Sequence, residues 1–375
     1  MKQGWEVKKL GDVVEIRNGK NQQQVLSETG QYPIMGSAGN IMGFATDYIC
    51  EAGTTIIGRK GNINKPIFIN ERFWNVDTAF GFYPKNELEK KFLYYLCLNI
   101  DFGKMNRGTT IPSLVKSELQ KIQIPFPPLS EQQKIVAILD EAFAAIERAK
   151  ANAVQNLKNA KELFDSYLQS VFENRGEGWK NVKLSELTTD ITDGDHMPPP
   201  KTETGIPFIT ISNINKKNYQ IDFSDTFTVS IDYYQKLKIN RKPKKGDILY
   251  TVTGSYGIPV LVEDNVEFCF QRHIGLIRPK ENTSSKWLFY WVLSPQAFKQ
   301  ANETATGTAQ KTVSLTALRN FSIPKISLSE QQTIVQKLDA LSAETKRLEA
   351  IYQQKIDNLE ELKKSILQKA FNGEL

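Results

Sequence analysis

The chain has few of the residue types that carry covalent or metal chemistry. Among its 375 residues there are three cysteines, Cys50, Cys97 and Cys269, and two histidines, His196 and His273. Their wide spacing fits neither a disulfide framework nor the ligand pattern of a metal site. We therefore expect no metal and no cofactor, and the few cysteines favour a reducing cytoplasm.

Long apolar runs and nucleotide-binding motifs are also missing. No stretch approaches the roughly 20 apolar residues that cross a bilayer, and MKQGWEVKKLGDVVEI lacks the apolar segment of a signal peptide. The phosphate-binding pattern G-x-x-x-x-G-K-[ST] and the Pro-Asp dipeptide of nucleases are absent. DHMPPPK (195–201) has no aromatic residue after its prolines and no acidic or amide residue directly before them, unlike the base-gripping loop of an adenine methyltransferase. The sequence thus predicts neither a membrane protein nor an enzyme.

What the chain does contain is a long internal repeat. PLSEQQKIVAILD (128–140) returns as SLSEQQTIVQKLD (327–339), and SYLQSVF (166–172) returns as SILQKAF (365–371), both at an offset of 199 residues. GWEVKKLGDVVEI returns as GWKNVKLSELTTDI at an offset of 174 residues. The repeat divides the chain into a variable segment and a conserved one, each present twice. The predicted segments are 1–129, 130–175, 176–328 and 329–375.

The two conserved segments are predicted to be long helices. Their apolar residues follow the three-four spacing of a helix seam, and neither segment contains a proline after its start. Ser130 and Ser329 are predicted to cap the helices, with Gln133 and Gln332 completing a capping box. Each helix would run for roughly 60 Å. Because one such helix cannot bury its apolar stripe alone, we expect the two to pack together.

The two variable segments are predicted to be mixed α/β domains. Short β-rich runs such as TTIIG, KPIFIN, IPFITISNI, GDILYTVTG and IGLIRP are separated by Gly, Asn and Pro. Each segment ends in a helix candidate, EKKFLYYLCLNI or SKWLFYWVLSPQAFKQ, followed by an extended run. The fold class is therefore α+β, with two mixed α/β domains separated by two long helices in a pseudo-twofold repeat.

Charge follows the same division. Each variable segment carries a net charge of +4 and each conserved segment a net charge of −1, which together give the formal +6 of the chain. Two basic modules on a neutral scaffold are typical of polyanion binding. A coiled-coil scaffold whose globular units bind protein or another polyanion remains the alternative, although the charge division favours DNA.

This layout resembles the specificity subunit of type I restriction-modification systems. The resemblance covers the whole chain and rests on IPFPPLSEQQKIVAILD and IPKISLSEQQTIVQKLD, each after a Gly-Thr segment and each opening a long helix. It implies two target recognition domains, each reading half of a bipartite site in double-stranded DNA. It also implies that the long helices form an antiparallel coiled coil that acts as a spacer. Two methyltransferase subunits and the restriction/translocase subunits would then supply the catalysis.

The candidate DNA contacts are basic, amide or hydroxyl side chains in predicted loops near glycine. Arg can bridge guanine O6 and N7, and Asn can bridge adenine N6 and N7. In the first variable segment the candidates are Lys20, Asn21, Gln22, Arg59, Lys60, Asn62, Asn64, Lys104, Arg107, Thr109 and Thr110. In the second they are Arg241, Lys242, Lys244, Lys245, Thr253, Ser255, Tyr256, Arg272, His273, Gln310, Lys311 and Thr312. The sequence does not separate base contacts from phosphate contacts.

Overall fold

The chain folds into two compact units. A computed structural model describes residues 2–174, 176, 178–196 and 199–375, so Met197 and Pro198 of the DHMPPPK stretch lie outside the described residues. The first unit takes the chain up to Gln155 together with Tyr352–Leu375, and the second is Asn156–Ile351. Each unit thus combines one variable segment with parts of both conserved segments. The linear division into four segments stays a prediction.

The first unit contains two sheets and a strand pair. Its strands are β1 (Glu6–Lys9), β2 (Val14–Asn18), β3 (Tyr32–Met35), β4 (Ile41–Ala45), β5 (Thr54–Gly58), β6 (Ile67–Ile69), β7 (Trp74–Asn75), β8 (Ala79–Pro84) and β9 (Gln123–Phe126). Its helices are α1 (Leu10–Val13), α2 (Lys90–Asn99), α3 (Lys116–Leu119) and the start of α4 (Leu129–Glu173). The strand orders are β2-β8-β5-β6 and β4-β3-β7, while β1 pairs with β9. Strand β5 is the predicted TTIIG run, and all of its residues are buried.

The second unit repeats this plan. Its strands are β10 (Lys180–Lys183), β11 (Thr188–Asp193), β12 (Ile206–Ile209), β13 (Ile214–Asn215), β14 (Gln220–Ile221), β15 (Phe227–Val229), β16 (Ile248–Thr251), β17 (Pro259–Leu261), β18 (Cys269–Phe270), β19 (Ile274–Pro279) and β20 (Ser322–Lys325). Its helices are α5 (Leu184–Leu187), α6 (Ile231–Lys236), α7 (Ser285–Leu293), α8 (Pro295–Thr304), α9 (Leu315–Arg319) and the start of α10 (Leu328–Asn372). The strand orders are β11-β19-β16-β17 and β15-β12-β18, with β10 paired to β20 and β13 to β14. The predicted fold class is confirmed.

The second predicted apolar helix is broken in two. SKWLFYWVLSPQAFKQ forms α7 and α8, which meet at Ser294. Proline lacks the amide that a helix interior needs, so Pro295 starts a new helix rather than continuing the old one. The Ser294 hydroxyl caps α8 by accepting a hydrogen bond from the amide of Ala297 at 3.4 Å.

The predicted caps of the long helices are wrong by a few residues. Helix α10 begins with a capping box between Ser327 and Glu330: the Glu330 amide donates to the Ser327 hydroxyl (3.2 Å), and the Ser327 amide donates to the Glu330 carboxylate (3.0 Å). In α4 the corresponding position is Pro128, whose carbonyl accepts the first helical hydrogen bonds. Ser130 and Ser329 lie inside the helices. The reason is that the carbonyls of Pro128 and Ser327 already accept the first helical hydrogen bonds, so the helices begin before these serines.

The two long helices run antiparallel within each unit. In the first unit Glu147 pairs with Lys363 at 2.7 Å and Lys150 pairs with Glu360, so residue numbers rise along α4 as they fall along α10. The side chains from both helices that share the core of the first unit are Ile135, Val136, Leu139, Phe143, Ile146, Leu367, Ala370 and Phe371. Those that share the core of the second unit are Leu168, Phe172, Val335 and Leu338. The predicted antiparallel helix pair is confirmed.

A buried glutamine anchors the start of α4. Gln132 is fully buried, and its Oε1 accepts a hydrogen bond from the amide of Glu89 at 2.8 Å. Its Nε2 donates to the carbonyls of Glu87 (3.1 Å) and Pro127 (2.9 Å). The side chain therefore satisfies backbone groups at the start of α2 and at the entry to α4.

A carboxylate eight residues further along completes the anchor. Asp140 accepts hydrogen bonds from Lys91 (2.6 Å) and from the hydroxyl of Tyr95 (2.5 Å), both on α2. Burial, followed by the hydrogen bond to Asp140, raises the pKa of Tyr95, so its phenol stays protonated and donates. The repeated SEQQ…LD motif is explained by these contacts.

The second unit has the same anchor. Gln331 accepts from the amide of Ser284 at 2.7 Å, and Asp339 accepts from Lys286 (2.7 Å) and Tyr290 (2.6 Å). Gln331 has 2% of its surface exposed. In each unit a helix of the variable segment, α2 in the first and α7 in the second, is thus fixed to the start of the long helix that comes after that segment.

Gln132→Ala should destabilise the protein because it leaves buried backbone groups without partners. The expected loss is about 2–3 kcal/mol in the free energy of unfolding. Urea unfolding followed by circular dichroism measures it. Gln133→Ala is the matched control, since Gln133 is exposed in the next position, and it should cost less than about 0.5 kcal/mol. Equal effects of the two substitutions would contradict the anchoring role of Gln132.

Candidate nucleic-acid interface

In the first unit, polar segments predicted from the sequence collect at one edge of the four-stranded sheet. Strand β8 lies between β2 and β5 and runs antiparallel to both, with Asn18 opposite Phe80 and Gly58 opposite Ala79. The carboxyl ends of β2 and β5 therefore lie on either side of the start of β8. The segments that share this edge are residues 19–22 after β2, 59–64 after β5 and 76–78 before β8.

Backbone hydrogen bonds join these segments to one another. The amide of Lys20 donates to the carbonyl of Asn75 at 2.9 Å. The amides of Arg59 and Lys60 both donate to the carbonyl of Thr78, at 2.8 and 3.1 Å. The loops are therefore held to the sheet by their backbones, while the side chains of Lys20, Arg59 and Lys60 are exposed.

A fourth segment, residues 106–113, lies against the Arg59 segment. The amide of Leu114 donates to the carbonyl of Arg59 at 2.9 Å. Asn106 organises the segment, because its Oδ1 accepts a hydrogen bond from the amide of Gly108 at 2.8 Å. We call residues 19–22, 59–64, 76–78 and 106–113 together the loop edge of the first unit.

The loop edge of the first unit is rich in cations. Lys20, Arg59, Lys60 and Arg107 are all exposed, and Asp77 is the one acidic residue within its four segments. The structure thus brings together basic clusters that are far apart in the sequence. Other predicted residues lie on this edge or directly before it in the chain: Asn21, Gln22, Asn62, Lys104, Thr109 and Thr110.

Asn64 differs from the other predicted contacts because its amide is already engaged. Its Oδ1 accepts a hydrogen bond from the amide of Phe102 at 2.8 Å, and its Nδ2 donates to Asp101 at 3.2 Å. This side chain stabilises the turn at residues 101–105. A base contact would require it to give up both hydrogen bonds.

The second unit has an equivalent edge. Strand β19 lies between β11 and β16, with Asp193 opposite Gly275 and Thr251 opposite Ile274. The same argument from antiparallel order brings the segments beyond these strand ends together. We call residues 194–196, 252–258, 271–273 and 306–312 the loop edge of the second unit.

The two loop edges share a backbone frame. In the first, the amide of Gly61 donates to the carbonyl of Pro112 at 2.9 Å; in the second, the amide of Gly254 donates to the carbonyl of Lys311 at 3.0 Å. Both glycines have positive φ, +80° and +70°, which suits glycine best. The residue before this glycine is a lysine in the first unit and Thr253 in the second. The frame is kept while the side chains on it differ.

The second loop edge is less cationic and richer in hydroxyl groups. Within its four segments the cations are Arg272 and Lys311, and the carboxylate is Asp195. The polar side chains predicted from the sequence that lie here are Thr253, Ser255, Tyr256, His273, Gln310 and Thr312. His273 is half-buried, and its Nδ1 lies 2.6 Å from the side-chain nitrogen Nε2 of Gln271.

Ser255 and Tyr256 also have partners within the unit. The hydroxyl of Ser255 lies 2.9 Å from Nζ of Lys216. Tyr256 donates to the Oδ1 of Asn302 at 2.7 Å, and its ring stacks on Phe298 at 6.1 Å between centroids. Tyr256 therefore fixes its loop to α8.

A cleft of about 430 Å³ opens at the second loop edge. Apolar and polar side chains line it together, a combination typical of ligand-binding clefts. The apolar side chains are Val252, Val313 and Leu315, and the polar ones include Asp193, Thr253, Arg272, His273, Gln310 and Thr312.

The basic run at residues 241–245 is divided between the loop edge, where Arg241 contacts Asp195, and the opposite end of β16. Arg241 is half-buried and pairs with Asp193 (3.2 Å) and Asp195 (3.7 Å). Lys242 donates to the carbonyl of Gln235 and lies 4.8 Å from the ring centroid of Tyr234. Lys244 and Lys245 are exposed and precede the amino end of β16. The loop-edge residue Thr253 follows the opposite, carboxyl end of this strand.

Sequence reasoning missed one segment in each unit. Strand β3 runs parallel to β7, and β12 runs parallel to β18, so their carboxyl ends face the loop edges. Residues 36–40 and 210–226 follow these ends. In the first unit the amide of Val76 donates to the carbonyl of Met35 at 3.3 Å. The glycines at 36 and 39 predict a turn, but the turn carries no basic side chain that would mark it as a DNA contact.

Three further features bear on function: metal ligands, cysteine thiols and long apolar helices. In the part of the chain that the structure describes, no group of three or more metal-ligating side chains could hold an ion. Burial raises the pKa of Cys50 and of Cys269 to about 12, and it also raises that of Cys97, so these thiols are poor nucleophiles. No helix within the described ranges has the length and apolar character needed to span a membrane.

Comparison with known proteins gives a consistent result. A family model described as type I restriction modification DNA specificity domain matches residues 2–156 and 176–360. The chain is 25% identical to the MjaVIII specificity subunit of Methanocaldococcus jannaschii over 99% of this chain and 93% of that protein. It is 24% identical to the EcoBI specificity subunit of Escherichia coli over 85% of this chain and 73% of that protein.

Solved structures show the same fold. A chain from a study of complex assembly and conformational transition of the type I R-M system superposes with a TM-score of 0.79 at 20% identity, covering 100% of this chain and 99% of that one. The HsdS subunit from Thermoanaerobacter tengcongensis superposes with a TM-score of 0.64 at 22% identity, covering 100% of this chain and 98% of that one.

Proposed function

Since the chain belongs to the type I restriction modification DNA specificity domain family and is a DNA sequence-specificity subunit, we propose that each loop edge reads one half of a bipartite DNA site. The observation that carries this proposal is the shared backbone frame of the two loop edges with different side chains on it. A common frame suits a common ligand, duplex DNA, and different side chains suit two different base sequences. Residues 1–129 and 176–328 are then the target recognition domains.

The chemistry of the first loop edge suits both kinds of DNA contact. Arg59 and Asn62 are exposed next to a glycine that lets the backbone approach a groove, and Arg and Asn are the side chains that pair bidentately with guanine and adenine. Lys20, Lys104 and Arg107 suit phosphate contacts, which position the protein without reading bases. In the second unit, Arg272 and Gln310, which line the cleft, are the corresponding base readers.

We assign the long helices two roles. Each is one continuous helix of 45 residues, so its length is a fixed quantity that can set the spacing between the two half-sites. The helices, in residues 130–175 and 329–375, also dock two methyltransferase subunits, to which the restriction/translocase subunits are added. The chain itself selects the site and its partners catalyse, and binding to chromosomal DNA gives it a cytoplasmic location.

The proposal is tested by mapping adenine methylation in DNA from the source cell with and without this gene. We expect one bipartite site whose methylation disappears when the gene is removed. Methylation that persists unchanged, or a site without two separated halves, would contradict the proposal. The purified chain alone should methylate nothing.

Arg59→Ala should weaken duplex binding by the assembled complex. Loss of a bidentate guanine contact costs about 1–3 kcal/mol of binding free energy. Titration of fluorescent duplex at several salt concentrations measures it, and affinity should fall steeply with salt because phosphate contacts release counterions. Lys9→Ala, which removes an exposed cation from β1 outside the loop edge and the long helices, is the control and should leave affinity unchanged. Salt-insensitive binding would favour a protein-binding scaffold instead.

A further inference from the structure

An exposed apolar side chain lies beside the loop edge of the first unit. Ile41 begins β4 directly after the turn at residues 36–40, and it has 57% of its surface exposed. It lies opposite Met35 in the strand pair, and Met35 lies opposite Asn75 of β7. The carbonyl of Asn75 accepts the hydrogen bond from Lys20 that helps to form the loop edge. Ile41 is therefore two strands from Asn75, or about 10 Å.

The turn differs from the basic segments of the edge in carrying no charge, although the edge itself also presents one exposed aliphatic side chain, Ile111, with 58% of its surface exposed. Residues 29–46 contain no Asp, Glu, Lys or Arg, so the turn has no charge with which to contact phosphate. Met42 is also exposed, at 51%. Apolar surface that stays in contact with water gains nothing for the fold, whereas covering it by a ligand contributes to binding.

The second unit shows that this position in the frame reaches the loop edge. The connection that follows β12 is longer, residues 210–226, and carries Lys216 and Lys217. Nζ of Lys216 lies 2.9 Å from the hydroxyl of Ser255, within the second loop edge. Side chains of this connection therefore extend to the segments proposed to read DNA. The first unit presents apolar groups here, and the second presents cations.

We propose that Ile41 reads a thymine in the half-site of the first unit by contact with the thymine 5-methyl group. This inference rests on the proposed function. In the major groove the 5-methyl group of thymine is the apolar feature of the base-pair edges, so an exposed aliphatic side chain among polar readers selects it. Cytosine, which lacks this methyl group, gives Ile41 nothing to cover.

Thymine-to-deoxyuridine substitution tests the inference, because deoxyuridine keeps every hydrogen-bonding group and lacks only the methyl. The complex of this chain with its methyltransferase subunits is titrated with the mapped duplex and with copies that carry deoxyuridine at one thymine at a time. Burial of one methyl-sized group corresponds to about a fourfold change in affinity. We expect that loss at one thymine or two neighbouring thymines of a single half-site. Ile41→Ser should lower affinity for the thymine duplex by a similar factor and abolish the difference between the two duplexes.

Val7→Ser is the matched control. Val7 is also exposed, at 45%, and lies on β1, which precedes the amino end of β2 rather than its loop-edge end. It should keep the full difference between thymine and deoxyuridine. Ile41→Ala gives a second variant with a smaller change in polarity and should likewise lose most of that difference.

Several results would overturn the inference while leaving the proposed function intact. They are specific binding that is insensitive to deoxyuridine at every thymine, half-sites without thymine, and an Ile41→Ser variant that weakens both duplexes equally. A variant that binds DNA normally but no longer assembles with methyltransferase would assign the apolar turn to a protein contact. Failure of the wild-type complex to prefer the mapped duplex over a scrambled one would instead remove the proposed function itself.

Discussion

Exchange of residues 176–328 for the equivalent segment of another family member should change one half of the methylated site and leave the other half unchanged. Specific DNA binding typically exceeds non-specific binding by roughly 10³-fold or more. Methylation at the original site should therefore fall below detection, while a new site that shares one half with the old one appears. All four segments of the second loop edge, residues 194–196, 252–258, 271–273 and 306–312, lie within the exchanged piece.

The anchor contacts show how the exchange should be built. The incoming segment meets Gln331 and Asp339 of the retained helix through the Ser284 amide, Lys286 and Tyr290. A donor segment that has lysine and tyrosine at the positions of Lys286 and Tyr290 should fold. A donor segment without them should lower the stability of the exchanged protein, because Asp339 loses its partners. Exchange of residues 1–129 is the reciprocal control and should change the other half of the site. A change in both halves after either exchange would contradict the modular interpretation.

Leu338→Asp should unfold the second unit. Leu338 is fully buried in a core that also contains Val335, Trp287 and Trp291. Removing a buried leucine side chain costs about 2–5 kcal/mol, and placing a carboxylate there adds the cost of burying an unpaired charge. Because whole domains are stable by only about 5–15 kcal/mol, the variant should lose the cooperative unfolding transition of this unit.

Tryptophan fluorescence measures the effect of Leu338→Asp, since two tryptophans lie in the same core. Gln336→Asp introduces the same charge at an exposed position two residues earlier, so it is the matched control and should shift stability by less than about 0.5 kcal/mol. Equal transitions for Leu338→Asp and the wild type would refute the packing of α10 into the second unit.

Much of the fold could be predicted because its signals are local. The apolar spacing that predicted the long helices, and runs such as TTIIG and IGLIRP, appear as α4, α10, β5 and β19. Local signals failed where two of them competed. The SEQQ serines resemble helix caps, but Pro128 and Ser327 precede them in the chain and accept the first helical hydrogen bonds. The helices therefore begin three residues after strands β9 and β20 end, before the serines are reached.

The candidate site could be predicted only in pieces. Arg59, Lys20 and Arg107 were found by charge, yet their proximity depends on β8 lying between β2 and β5, an order that no local pattern encodes. Lys244 and Lys245 show the reverse case. They belong to a dense basic run in the sequence, but they precede the amino end of β16, whereas the loop edge follows its carboxyl end. The turn before Ile41 was missed since its chemistry is apolar.

The sharing of both long helices has a consequence for the order of events during synthesis. Leu367 and Phe371 belong to the core of the first unit, where the ring centroid of Phe371 lies 5.2 Å from that of Phe92. The module made first therefore cannot complete its core until residues 367–371 have left the ribosome, whereas the second module is complete at Ile351. Contacts so distant along the chain form slowly. A premature stop shortly before residue 367 should thus damage the earlier-made reader and spare the later one.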